Sequence, residues 1–292
     1  MENTAIALLL ILGSTAVHQI ESIAIKRYNA KHKAGGFIFT ALISLFSMLF
    51  FLITDKGGLH FPVEMLPYAI LAGICYSSAS YLTFVAFECG SFVMTNLFLS
   101  YALLFSIGYG LFFLKDPTTP LTYVGLTLIL VSIFLVRQDK SDGGSTVKIT
   151  PKWVIATALS VLGSGMLGVL MKLQQVKFDQ VDNEFMIVTL GFSALTLLVI
   201  GLVKDGKDLG YVLKNGGLYA TAAGVSNGAT NLLGLLVTRM IPLSIASPSK
   251  AGVAILFSFL LALFLFKERF SQRQVLGVIL GTAALVLLNI QI

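Results

Sequence analysis

The sequence predicts an all-α polytopic membrane protein, with ten transmembrane helices arranged as two inverted five-helix repeats. Three observations lead there. Only 12% of the 292 residues are charged and 56% are hydrophobic, whereas a globular chain in water carries about 25% charged residues. Uncharged apolar runs of about 20 residues recur along the whole length, the span needed to cross a hydrocarbon core about 30 Å thick. Segments of the two halves also match one another in order. Helices are the spanning element because the runs are continuously apolar; strands of a membrane barrel would alternate in polarity over about 10 residues.

The runs fall at 4–26, 35–54, 66–88, 91–114, 120–137, 152–174, 183–203, 216–238, 243–266 and 271–290. The opening MENTAIALLLILG lacks a positively charged leader and a cleavage site, so it reads as a first span that is retained. TDKGG, KDPTTP, KDGKD and KER mark later boundaries, and the polar RQDKSDGGSTVKITPK after the fifth run reads as a flexible linker. The expected organisation is a first repeat over 1–138, a linker over 139–151 and a second repeat over 152–292. No connecting segment is long enough to build a core of its own. Cys75 and Cys89 lie in one predicted helix and form neither a disulfide framework nor a metal pattern. The net charge of +6 comes from lysines and arginines between the apolar runs, as in membrane proteins, and does not point to nucleic acid.

The linker divides the runs five and five. LFFLKDPTTPLTYVGLTLILV (111–131) aligns with LFLFKERFSQRQVLGVILGTA (263–283) at an offset of 152, pairing Lys115 with Lys267, Asp116 with Glu268 and Gly125 with Gly277. ILGS (11–14) and VLGS (161–164) match near the starts of the halves, and the next runs end in Thr54-Asp55 and Lys204-Asp205. Five crossings bring the second half in from the opposite side, so the repeats are inverted, a common plan for secondary transporters with a midplane site.

On these features the chain resembles the EamA-type ten-helix transporters of the drug/metabolite transporter superfamily. The first helix, with a polar residue eight positions before Lys26, is also similar to that of the small multidrug resistance proteins. In those, a glutamate that binds cation or proton stands eight positions before the lysine; here the position is His18, and Glu21 follows one turn later. The resemblance implies a transporter and says little about its substrate. It implies cytoplasmic termini, whereas the count of basic residues, 14 on one side against about 5 on the other, places both termini outside by the positive-inside rule.

An ionisable group at membrane depth costs about 2.5–3.5 kcal/mol on insertion scales, so each one is a candidate for function. His18 and Glu21 share a helical face, where Glu21 is placed to take a cationic group and His18 to relay a proton; the bland alternative is a local hydrogen bond between them. Lys250, in SPSKAGVA just after Pro248, is placed to meet a substrate anion or Glu21 itself, or to snorkel to the surface. Asn227 and Asn231 lie four apart in SNGATN, and the third run carries CYSSASY with Tyr76, Ser80 and Tyr81. At offset 152, Cys75 matches Asn227 and Ala79 matches Asn231, so these patches read either as a shared cavity wall or as glue between helices. Asn96 and Tyr101 in the fourth run are similar candidates. Glu88 and Arg239 stand near helix ends, and the small residues of GVSNG (224–228) and GVILG (277–281) read as close packing.

The expected function is secondary active transport, by alternating access, of a small polar metabolite such as an amino acid or similar zwitterion. The alternatives are a proton-coupled exporter of cationic drugs or amines, and a non-transporting scaffold or channel. The expected partners are that solute, with protons as a candidate coupling ion, and the lipid bilayer, for a monomer or homodimer in a bacterial plasma membrane. No enzyme is expected, because neither a nucleophile–base pair nor a three-ligand metal set is present. No cofactor is expected either, since there is no phosphate-binding loop.

Overall fold

The computed structural model describes residues 2–136 except 33, 56, 91, 117 and 118, residues 150–264 except 179 and 180, and residues 272–289. Its α-helices are α1 (Glu2–Lys31), α2 (Gly36–Thr54), α3 (Leu66–Cys89), α4 (Phe92–Leu99), α5 (Leu103–Phe112), α6 (Pro120–Val136), α7 (Pro151–Lys177), α8 (Asp182–Lys204), α9 (Leu209–Met240), α10 (Leu243–Phe264) and α11 (Gln272–Asn289). Among the described residues, six stretches are long and apolar enough to cross a membrane, and large apolar side chains such as Ile53, Phe112 and Val203 are exposed. The protein is a multi-pass membrane protein. Residues 139–149 of the linker expected over 139–151, and the Lys267–Glu268 pair, lie outside the described residues.

The helices follow the apolar runs with instructive differences. The fourth run is two helices, α4 and α5, joined by a 3-10 turn at Ser100–Ala102. α1 continues five residues past its expected end, because that last turn is packed: Tyr28 is fully buried and stacks on Phe39 at 3.9 Å, and Asn29 is buried as well. α9 begins seven residues before its expected start, where buried Val212 lies under Gly35. α7 starts where local chemistry dictates, with Pro151 at its first position and the Thr150 hydroxyl accepting from the Trp153 amide at 3.2 Å. Asp116, from the first half, accepts from the Ser244 amide at 2.9 Å and so caps the N-terminus of α10 in the second.

Packing pairs helices across the two halves: α1 runs along α9, α3 along α7, α2 along α8 and α6 along α11. Many contacts occur twice. Asn29 Nδ2 donates to the Phe84 carbonyl at 2.9 Å and Lys26 Nζ to the Phe87 carbonyl at 2.9 Å. Gln175 Nε2 donates to the Leu235 carbonyl at 3.2 Å and Lys172 Nζ to the Thr238 carbonyl at 2.5 Å. The donors are 146 positions apart in both cases and the acceptors 151. The same two spacings relate Gly73, seated on Phe192 and the Thr189 carbonyl, to Gly224, seated on Phe46 and the Ile43 carbonyl. Between these sets, Ser44 of α2 and Ser193 of α8 hydrogen-bond at 3.1 Å, both fully buried.

The glycine seats set how closely helices approach. A Cβ on Gly224 would fall 2.5 Å from the Phe46 Cβ and 2.7 Å from the Ile43 carbonyl oxygen, atoms that cannot swing aside. Gly224→Ala is therefore expected to force α2 and α9 apart and destabilise by about 1–3 kcal/mol, read as a lower melting temperature in detergent. Unchanged melting would show that the contact is looser than drawn.

Candidate functional site

A cavity of about 360 Å³ lies among α1, α3, α4, α5, α7, α9 and α10. Its wall includes one helix break and one helix proline. One is the α4–α5 break, contributing Ser100 and Ala102; the other is the turn around Pro248 in α10, contributing Ser247 and Lys250. Helix breaks and helix prolines facing a cavity are where transporters place their binding groups.

Glu21 is the acidic centre. It is 7% exposed. The Asn227 amide nitrogen donates to its Oε1 at 3.0 Å and lies 3.1 Å from its Oε2, while His18 Nδ1 sits 3.2 Å from Oε2. Asn227 is in turn a hub. Its Oδ1 accepts from Tyr76 OH at 2.7 Å, Ser47 Oγ at 2.9 Å and Asn231 Nδ2 at 2.9 Å. A carboxylate only accepts and a tyrosine hydroxyl and amide NH₂ both donate here, so the surroundings decide which way the Asn227 amide faces. The side chain of His18 is 41% exposed, and the residue lines the cavity.

Lys250 supplies the opposite sign. Its ammonium lies against Gly234, where a Cβ would come within 2.5 Å of Nζ. Among the described residues it has no ion-pair or hydrogen-bond partner. Glu21 and Lys250 thus line one cavity without neutralising each other directly. Two further wall residues are buried with one atom unpartnered: Gln19 Oε1, an acceptor, and Asn96 Nδ2, a donor. Asn96 is otherwise held by Ser22, whose hydroxyl donates to Oδ1 at 3.3 Å.

Eight of the ten residues singled out from the sequence line this cavity: His18, Glu21, Tyr76, Ser80, Asn96, Asn227, Asn231 and Lys250. Tyr81 and Tyr101 are not among its lining. Tyr81 turns away to stack on Phe37 at 3.7 Å, and Tyr101 packs against Phe98 at 5.6 Å. On a helix, one residue past Ser80 is a rotation of about 100°, which carries Tyr81 off the wall. The wall also holds residues the sequence reading passed over, chiefly Ser14, Thr15, Gln19, Ser22, Ser164 and Ser247. A signal for some of them was present: Ser14, His18, Glu21 and Ser22 follow one another at helical spacing, and Ser14 and Ser164 end the matched ILGS and VLGS.

Residues 151–290 match the family model described as the EamA-like transporter family. Among the 28 solved chains that match, one, described only as a crystal structure of a protein, aligns with a TM-score of 0.68 at 14% identity, covering 98% of this chain and 99% of its own. At that identity the likeness concerns the fold. No curated protein matches the sequence. That match covers the second half of the chain and supports an EamA-type membrane transporter of the drug/metabolite transporter superfamily.

Proposed function

We propose that the protein is a secondary active transporter of a small solute carrying both charge signs, an amino acid or similar zwitterion, moved by alternating access between two inverted five-helix repeats. The observation that carries this reading is the pairing of Glu21 and Lys250 on one cavity wall, each held apart from the other. Burying two such groups is unfavourable without a counter-charge, and a zwitterion brings both. Gln19 Oε1 and Asn96 Nδ2 add an unmet acceptor and an unmet donor, in keeping with a polar solute. The contacts that recur at spacings of 146 and 151 support the two-repeat plan. Proton-coupled export of amines draws on the His18–Glu21 contact alone and leaves Lys250 without a role.

The test is a thermal-shift and uptake series on purified protein, with amino acids set against their decarboxylated and deaminated counterparts. Zwitterions are expected to bind more tightly than either. In Glu21→Gln, the preference of a zwitterion over its deaminated counterpart should fall by about tenfold or more, as for loss of a charge-assisted hydrogen bond. Equal binding of all three classes, or an unchanged preference in Glu21→Gln, would remove the zwitterion reading.

A further inference from the structure

We infer that Lys26 and Lys172 are matched positioning residues that latch opposite ends of the transport path, each by holding the last carbonyls of a neighbouring helix. The inference rests on the transport reading and adds to it the groups that determine which side is open.

The helices differ in how firmly they are bound to one another. α1 and α9 pack along each other, and so do α3 and α7; α1 meets α3, and α7 meets α9, over much smaller contacts. The cavity lies between these two pairs. At one end, Lys26 Nζ of α1 donates to the carbonyls of Phe87 and Gly90 at the end of α3, and Asn29 reaches Phe84 one turn earlier. At the other, Lys172 Nζ of α7 donates to Thr238 at the end of α9, and Gln175 reaches Leu235. Each latch joins the α1–α9 pair to the α3–α7 pair. Five crossings separate α1 from α7, so the two latches stand at opposite membrane faces. Helix-end carbonyls carry partial negative charge and lack intrahelical partners, so an ammonium there is well placed and its removal leaves them unsatisfied in an apolar setting.

A rocking of one pair against the other about the buried Ser44–Ser193 contact would break one latch while keeping its counterpart. The two latches are unequal in this structure. The α7–α9 end carries an added network on Asp182, which accepts from Arg239 Nε at 2.6 Å and from both Gln174 and Gln175. The cavity lining stops at Leu167 in α7 and Asn231 in α9, short of that latch, but reaches Ile25 and Phe87 beside the other. The unaltered protein should therefore be entered preferentially from the face that bears the α1–α2 connection.

The test measures sidedness and needs no substrate. In a background with Cys75 and Cys89 changed to alanine, Ser100→Cys on the cavity wall is labelled by a membrane-impermeant maleimide, applied separately to each face of oriented vesicles. Lys26→Met is expected to raise labelling from the α1–α2 face further. Lys172→Met is expected to raise labelling from the opposite face by about tenfold, as for loss of one charge-assisted hydrogen bond in a two-state balance. Lys26→Arg and Lys172→Arg retain donors and should keep the parent sidedness, which separates a latch from a loss of folding. Both methionine variants shifting labelling toward the same face, or neither shifting it, would overturn the proposal. Sidedness that shifts as expected in a protein that moves no solute would leave the latches standing and remove the transport reading.

Discussion

Asn227→Leu is expected to lower the melting temperature by roughly 5–10 °C and to abolish solute binding. Leucine keeps the volume and removes every polar atom of the hub. Glu21 then loses both contacts from the amide nitrogen and retains only His18, while Tyr76 and Asn231 lose their shared acceptor and Ser47 keeps the Gly224 carbonyl. In bilayers a single hydrogen bond between helices averages only about 0.6 kcal/mol, and the lost bonds from Tyr76 and Asn231 to Oδ1 would be modest on that scale. The carboxylate decides the outcome, since stripping the partner from a buried charge costs about 3–5 kcal/mol. Asn227→Asp offers a contrast: it keeps an acceptor for Tyr76 and Asn231 but sets a second carboxylate against Glu21, so one of the two must take a proton. Melting within a degree of the parent for Asn227→Leu would show that the hub does not hold the site.

Lys250→Met should do the reverse to stability while removing function. The ammonium sits at membrane depth with no partner among the described residues, and methionine fills similar space without charge. Removing an uncompensated charge there should stabilise the empty protein by about 1–3 kcal/mol, seen as a higher melting temperature. Binding of zwitterions should weaken about 30- to 100-fold, corresponding to roughly 2–3 kcal/mol for the lost charge-assisted contact. Binding of the decarboxylated counterparts should hold or improve. The opposed signs make this a sharp test. A Lys250→Met protein that is less stable and transports normally would make Lys250 a packing residue, and the both-signs reading would go with it. Lys250→Arg is expected to fall between, because the seat against Gly234 leaves little room for a planar guanidinium.

Much of the site was legible before any coordinates, for a physical reason. In an apolar solvent, scarce ionic side chains tend to face inward, so Glu21, His18 and Lys250 stood out as cavity candidates from composition, while helical spacing left Asn227 and Asn231 open between a cavity wall and packing glue. The same reasoning could not separate Ser80 from Tyr81, adjacent polar residues on one helix, of which the first lines the cavity and the second stacks on Phe37. Nor could it find Gln19 or Ser22, because Ser, Thr and Gln are common enough in membrane helices as packing glue to carry little signal.

Repeats show the same division. The matched ILGS and VLGS and the KD/KE pairs point to a duplication, but the more informative copies, Lys26 with Lys172 and Asn29 with Gln175, do not align at offsets of 150 and 152. Loop lengths differ between the halves, so α1 and α3 relate to α7 and α9 at spacings of 146 and 151, and only superposed contacts reveal it. By itself the sequence determined that the chain spans a membrane as helices and that an ionic side chain at membrane depth is a candidate for the interior, because both follow from the cost of polar groups in hydrocarbon. The tertiary structure alone decided which polar residues meet, since helical periodicity says which residues share a face and nothing about which neighbour that face will touch.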